Sequence, residues 1–199
     1  MEASVFASNY NDTINGYRKY FDTSSFLRHF LVGEISGNTD TYWSVYTYKK
    51  RNDDKFYFGP VWDFDIAYEN DNRTYPINNN SQWIYASTGS CANGMRDFVN
   101  RILSDDKAFN ELKNIYASYR STGIISEDSL VAVVNKYETE LNQSQALNFK
   151  RWPIMNEWTH MNPRIRGSYT AEVENVRNYV RNRISWMDNM LDFTGLYVL

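Results

Sequence analysis

Gly59-Pro60-Val61-Trp62-Asp63-Phe64-Asp65 places two carboxylates two residues apart, directly after a Gly-Pro turn. On an extended backbone such residues leave the same face, so a short strand over Val61 to Ala67 is expected to present Asp63 and Asp65 to one cation. Two acids buried on one apolar strand are costly unless a metal, an Arg or a Lys neutralises them. Two assignments therefore stand side by side: a metal or phosphate site, or an Arg-paired structural site. A third acid, Asp40, lies upstream in Gly37-Asn38-Thr39-Asp40, a sequence equally suited to an ordinary turn. It precedes the aromatic run Tyr42 to Lys49, which is expected to pair with Lys55 to Phe58 across the charged turn 50–54.

Helical spacing surrounds this acidic centre. Tyr10 to Phe21 alternates polar and aromatic positions at roughly helical intervals. Asp22-Thr23-Ser24-Ser25 then caps a helix with the apolar face Phe26, Leu27, Phe30, Leu31 and Ile35, which Gly37 stops. Residues 69–93 are polar, rich in Asn, Ser and Thr and without clear periodicity, as expected of a functional loop. Beyond them the pattern predicts helices over about 95–104 and 106–121, a third opened by Ser126 and continued by Leu130, Val133, Val134, Tyr137 and Leu141, and a last from Tyr169 to about Leu191. The expected fold class is α+β and mainly helical, with a small antiparallel hairpin that carries the acidic motifs packed on a C-terminal helical bundle.

Composition narrows the function classes. With 199 residues, 42% of them hydrophobic and 17% aromatic, the chain is expected to form one domain over 1–199 with its own core. A net charge of -3 and no basic block argue against nucleic acid as the main partner. The single Cys91 excludes an internal disulfide, and no apolar run is long enough to span a bilayer. Met1-Glu2-Ala3-Ser4 opens no basic-then-apolar signal region. His29, on a helix, and His160, in a loop, are expected to be structural. Arg164 and Arg166 could meet a phosphate, but salt bridges to acidic helix faces are the favoured expectation. The six tryptophans are expected in the core, with a carbohydrate platform as the alternative.

The order of these parts resembles the CotH kinase family of spore-coat and secreted proteins. The resemblance is carried by Asp22-Thr23-Ser24-Ser25-Phe26, Asn38-Thr39-Asp40, the aromatic hairpin, Gly59 to Asp65, and the closing Arg183-Ile184-Ser185-Trp186-Met187-Asp188. It covers nearly the whole chain. It implies an atypical protein-kinase C-lobe, a portion of a larger CotH-like protein, with Asp40 as the catalytic-loop aspartate and Asp63 as the magnesium aspartate, assisted by Asp65 or Asn38. Phosphoryl transfer fits this division, because it needs positioning and charge neutralisation more than covalent chemistry. Magnesium and ATP are the implied cofactors, and a secreted, cell-surface or spore-coat location is implied with them. The chain departs from the pattern at Ser44, where some relatives carry an Asn as second metal ligand, and at Glu69-Asn70, where relatives often have Gly-Asn and Asn70 would compensate. A glycine-rich loop and phosphate-binding lysine of an N-lobe have no counterpart ahead of Asp22.

Two functions are consistent with these residues. One is the C-lobe part of an ATP/Mg-dependent Ser/Thr kinase acting on a secreted or surface protein substrate. The other is a catalytically degenerate surface module with a protein or glycan partner. A metal-dependent hydrolase built on Asp63 and Asp65 lacks an accompanying base of clear type.

Overall fold

Asp22 starts the central helix as the sequence predicts. Its carboxylate accepts from the Ser25 amide at 2.7 Å and opens α2 (Thr23–Ser36). Gly37 closes that helix at φ 69, and a Cβ there would meet the Tyr179 hydroxyl at 2.3 Å. Only glycine supplies both the left-handed turn and the close approach. The structure, a computed structural model, describes residues 1–72, 82–87 and 93–194.

Around α2 lie α1 (Glu2–Val5), α3 (Ile84–Ser87), α4 (Asn93–Leu103), α5 (Asp106–Ser121), α6 (Glu127–Arg151) and α7 (Tyr169–Met190). The long helices begin at side-chain caps: Ser126, as expected, and also Asp105 and Ser168 each accept a backbone N–H of the first turn. One face of α2 buries Phe26, Leu27, Phe30 and Leu31. Its aromatics join Phe21, Phe58 and Phe98 with ring centroids 5.0–6.0 Å apart, a range that favours edge-to-face contact.

The sheet is smaller than the sequence suggests. β1 (Thr47–Lys49) and β2 (Phe56–Phe58) pair antiparallel, Thr47 opposite Phe58 and Lys49 opposite Phe56. β2 is anchored on its other side: the Asp22 amide donates to the Phe56 carbonyl and the Phe56 amide to the Tyr20 carbonyl, both at 2.9 Å. Residues Thr39–Tyr42, expected to lead into or begin the strand, coil instead into a 3₁₀ turn that delivers the Tyr42 hydroxyl to buried Glu34. The strand expected over Val61 to Ala67 does not form. Asp63 has φ 55, which breaks the two-residue alternation, and residues 65–69 turn. The acids therefore flank the hairpin and do not ride on it. Tyr10 to Phe21 is likewise no helix but turns and one 3₁₀ turn (Tyr17–Lys19), because the Asp12 carboxylate takes the Ile14 and Asn15 amides at 2.8 and 2.7 Å.

Helix α6 and the tryptophans depart from a simple core, and for the tryptophans this corrects the expectation. The stripe on α6 does not become core: this helix buries none of its residues and packs chiefly on α7, leaving Val133, Tyr137 and Leu141 exposed. Of the tryptophans, Trp83 and Trp186 pack edge-to-face at 4.9 Å against the core, whereas Trp43, Trp62, Trp152 and Trp158 are exposed. Within the polar stretch 69–93, residues 73–81 and 88–92, Cys91 included, lie outside the described residues, and the described part contains α3. No described helix is long and apolar enough to cross a membrane.

The deepest contact is ionic. Arg183 of α7 donates to the Glu34 carboxylate at 2.7 Å, to the Glu34 carbonyl at 2.8 Å and to the Gln82 carbonyl at 2.9 Å, with both charged side chains fully buried. Glu34 also accepts from the Ile84 and Tyr85 amides, at 2.7 and 3.0 Å, and from Tyr42. Burial pushes the Glu34 carboxyl up, while Arg183 and the three donors oppose that shift. At the other end of the same motif, Asp188 receives a two-pronged Arg120 guanidinium at 2.8 and 2.6 Å and the Tyr116 hydroxyl at 2.7 Å. The closing Arg183-to-Asp188 motif thus clamps α7 to α2 and α5.

Removing one partner of the buried pair leaves an uncompensated charge. Arg183→Met is therefore expected to lower the unfolding free energy by about 3–5 kcal/mol in urea denaturation, and adding Glu34→Gln is expected to recover part of that loss. Acid sensitivity has a separate source in Asp105. Its burial raises the carboxyl, but hydrogen bonds from Arg18, Tyr17 and the Lys107 amide outweigh that and hold it below its ordinary value of 3.8. A lowered folded value stabilises above the unfolded one and is lost as pH falls through the folded one. Asp105→Asn is expected to flatten the loss of stability below about pH 4 in acid titrations followed by circular dichroism.

Candidate functional site

Two segments carry the candidate residues, 36–46 and 59–71, and three contacts stitch them together. The Gly59 amide donates to the Tyr46 carbonyl at 3.0 Å, the Tyr68 amide to the Ser36 carbonyl at 2.7 Å, and the Thr39 hydroxyl to the Asp71 carboxylate at 2.5 Å. Trp62 meets Tyr46 edge-on at 5.5 Å beside the first of them. Asp40 on one segment, and Asp63 and Asp65 on the other, lie between these ties.

Each predicted residue has a definite place. Asn38 is fully buried, and neither its side-chain carbonyl nor its NH₂ has a hydrogen-bond partner. Its backbone carbonyl accepts from Thr41 and opens the 3₁₀ turn that holds half-buried Asp40. Ser44 is exposed, and its amide donates to the Asp40 carbonyl at 3.0 Å. Asp63 and Asp65 are exposed, and no described side chain or amide pairs with either carboxylate. The burial cost that motivated a neutralising partner is therefore absent, and so is the Arg pairing offered as the structural alternative. Asn70 is exposed and donates to the Asp65 carbonyl at 3.0 Å. Arg166 meets Glu172 at 3.0 Å, as the salt-bridge expectation has it. His29 sits partly buried against Phe58, with burial pushing its imidazole down.

The backbone around the acids is unusual. Of six non-glycine residues at positive φ among the described residues, three fall within 63–69: Asp63 at 55, Tyr68 at 58 and Glu69 at 63. Such conformations cost about 1 kcal/mol or more each and persist where the surroundings over-determine them. Here the Tyr68–Ser36 and Thr39–Asp71 bonds do so, with the Tyr68 ring edge-on to Tyr179 at 5.8 Å. Burial pushes the Glu69 carboxyl up, against Arg166 and Arg164.

Asp71, almost fully buried, was missed, because Asn70-Asp71-Asn72 reads as a polar turn. Glu34 was missed too, although a signal existed. It falls on the same helical face as Leu27 and Leu31, and Arg183 falls on the stripe of Val176, Val180 and Met187. A lone acid and a lone base inside two apolar stripes demand each other.

Among the described residues no three His, Cys, Asp or Glu side chains converge on a metal position. An exposed, unpaired aspartate still suits magnesium, which takes one or two carboxylates and completes its shell with water and phosphate oxygens.

A mainly helical α+β fold with an acid-bearing turn held against the end of its central helix is the class of protein defined so far. A family model described as CotH kinase protein matches residues 3–187, and the chain belongs to that family. No curated protein and no solved structure matches it.

If Asp63 is kept for chemistry, its replacement is harmless to the fold. Asp63→Gly is expected to change the unfolding free energy by no more than about 0.5 kcal/mol, as glycine accepts the positive φ. Asp71→Ala, which strands the Thr39 hydroxyl, is expected to cost about 1–3 kcal/mol, both measured by thermal denaturation.

Proposed function

We propose that this chain is the C-lobe part of a magnesium- and ATP-dependent protein Ser/Thr kinase acting on secreted or surface proteins. The observation that carries the proposal is the stitching of segments 36–46 and 59–71, which encloses Asp40 and Asp63 between shared ties in a CotH-family chain. In this reading Asp40 orients the acceptor hydroxyl and accepts its proton, and Asp63 holds the magnesium that neutralises the phosphates when nucleotide is bound. The metal is given to Asp63 because Asp65 lines a separate cavity that Asp63 does not reach. Asn38 supports the turn under Asp40 from within the core, and Ser44 and Asn70 border the site.

The test is phosphate incorporation by the full-length protein from magnesium and labelled ATP, read by autoradiography and mass spectrometry of Ser and Thr. Asp40→Asn and Asp63→Ala are each expected to reduce labelling by about 100-fold or more, and chelation of magnesium to abolish it. Labelling that survives Asp63→Ala at the wild-type rate overturns the proposal.

A second reading, a surface module that binds glycans, is favoured by the exposed Trp43, Trp62, Trp152 and Trp158. It predicts a thermal shift with a glycan and none with nucleotide. The kinase reading predicts the reverse.

A further inference from the structure

A cavity of about 420 Å³ lies between the 64–70 turn and the α6–α7 pair, within the size range of small-ligand sites. Its walls include the aromatic rings of Phe64, Tyr68, Phe149 and Tyr169, the last two 6.3 Å apart. Asp65 lines it, and Asp63 does not.

The polar groups of the lining are lopsided. Asn70 donates one N–H of its NH₂ to the Asp65 carbonyl at 3.0 Å, and Asn175 one N–H to the Tyr68 carbonyl at 3.3 Å. Neither side-chain carbonyl receives a donor from a described residue. The Arg166 guanidinium is paired with Glu172 at 3.0 Å. Asp65 has no ion-pair partner among the described residues. Two carboxylates, Asp65 and Glu172, against one guanidinium leave the lining with one negative charge. The cavity therefore offers one unbalanced carboxylate, two amide carbonyls that no described donor answers, and four aromatic rings.

A ligand that balances this lining brings positive charge, and N–H groups on it would answer the two amide carbonyls. A bare divalent ion fits poorly, because it wants six or more oxygens and gains nothing from aromatic walls. An organic cation gains from both, with its charge on Asp65, its N–H groups on the amide carbonyls and its face or stem on the rings. We propose that this cavity binds a guanidinium or alkylammonium group through Asp65. The site is independent of phosphoryl transfer and stands whether or not Asp63 holds magnesium. The cation arrives either as a free small amine or as the basic side chain of a polypeptide.

Calorimetric titration at low salt separates these sources. The chain is titrated with agmatine, and separately with a blocked Ala-Arg-Ala peptide. Saturable one-to-one binding of agmatine assigns the site to free cations, and binding of the peptide alone assigns it to a polypeptide side chain. In either case Asp65→Asn, an isosteric change at an exposed position, is expected to weaken binding about 10-fold or more, and Phe149→Ala to weaken it as well. Asp63→Asn is expected to leave it unchanged. Failure of both probes to saturate the wild-type chain overturns the proposal. So does an Asp65→Asn chain of unchanged melting temperature that binds as tightly as wild type, or an equal loss in Asp63→Asn, which would mark the binding as unspecific charge attraction.

Discussion

The fold depends on one buried ion pair. Glu34 and Arg183 come from helices 149 positions apart, and both side chains are withdrawn from water. Such a pair is tolerable only when every remaining donor and acceptor is answered, because an unpaired buried charge costs several kcal/mol. Glu34 is answered by α3 amides and by Tyr42, and Arg183 by two backbone carbonyls. Satisfying this pair thus fixes four parts at once: the end of α2, the 3₁₀ turn after it, the start of α3 and the middle of α7.

The candidate site inherits its position from that constraint. Tyr42, drawn to Glu34, coils residues 39–42 and sets Asp40 at the end of α2, where a longer strand would have carried it away. Gly37 brings Tyr179 of α7 against the same turn, and Tyr179 in turn meets Tyr68 on the acid-bearing segment. The strained residues of that segment are held by bonds to Ser36 and Thr39, both next to the same helix end. A surface turn with two exposed aspartates is thereby as well placed as a core element, which a catalytic or binding group requires.

Local chemistry made much of this legible. Asp22, Ser126 and Gly37 act within one turn of themselves, so their helix boundaries could be read directly, and the Phe26-to-Leu31 face follows from helical spacing. The family motifs were legible for the same reason, as short strings of fixed residues. What misled was extrapolation from local pattern to environment. Aromatic alternation before β1 and around Trp62 looked like strand, yet β pairing needs a partner ladder, and only three residues on each side find one. The apolar stripe of α6 marks the helix, but burial depends on what lies beside it, and Val133, Tyr137 and Leu141 stay exposed.

By itself the sequence determined the long helices, the hairpin, the acidic motif and membership of the family, because each is written in neighbouring residues. Only the tertiary structure decided which charges are paired and which are available. Glu34, Arg183 and Asp71 became interior groups, whereas Asp63 and Asp65 stayed in water and were parted by a left-handed turn. The reason is physical: the energy of a charge is set by the dielectric and partners around it, and those are supplied by segments far away in the chain.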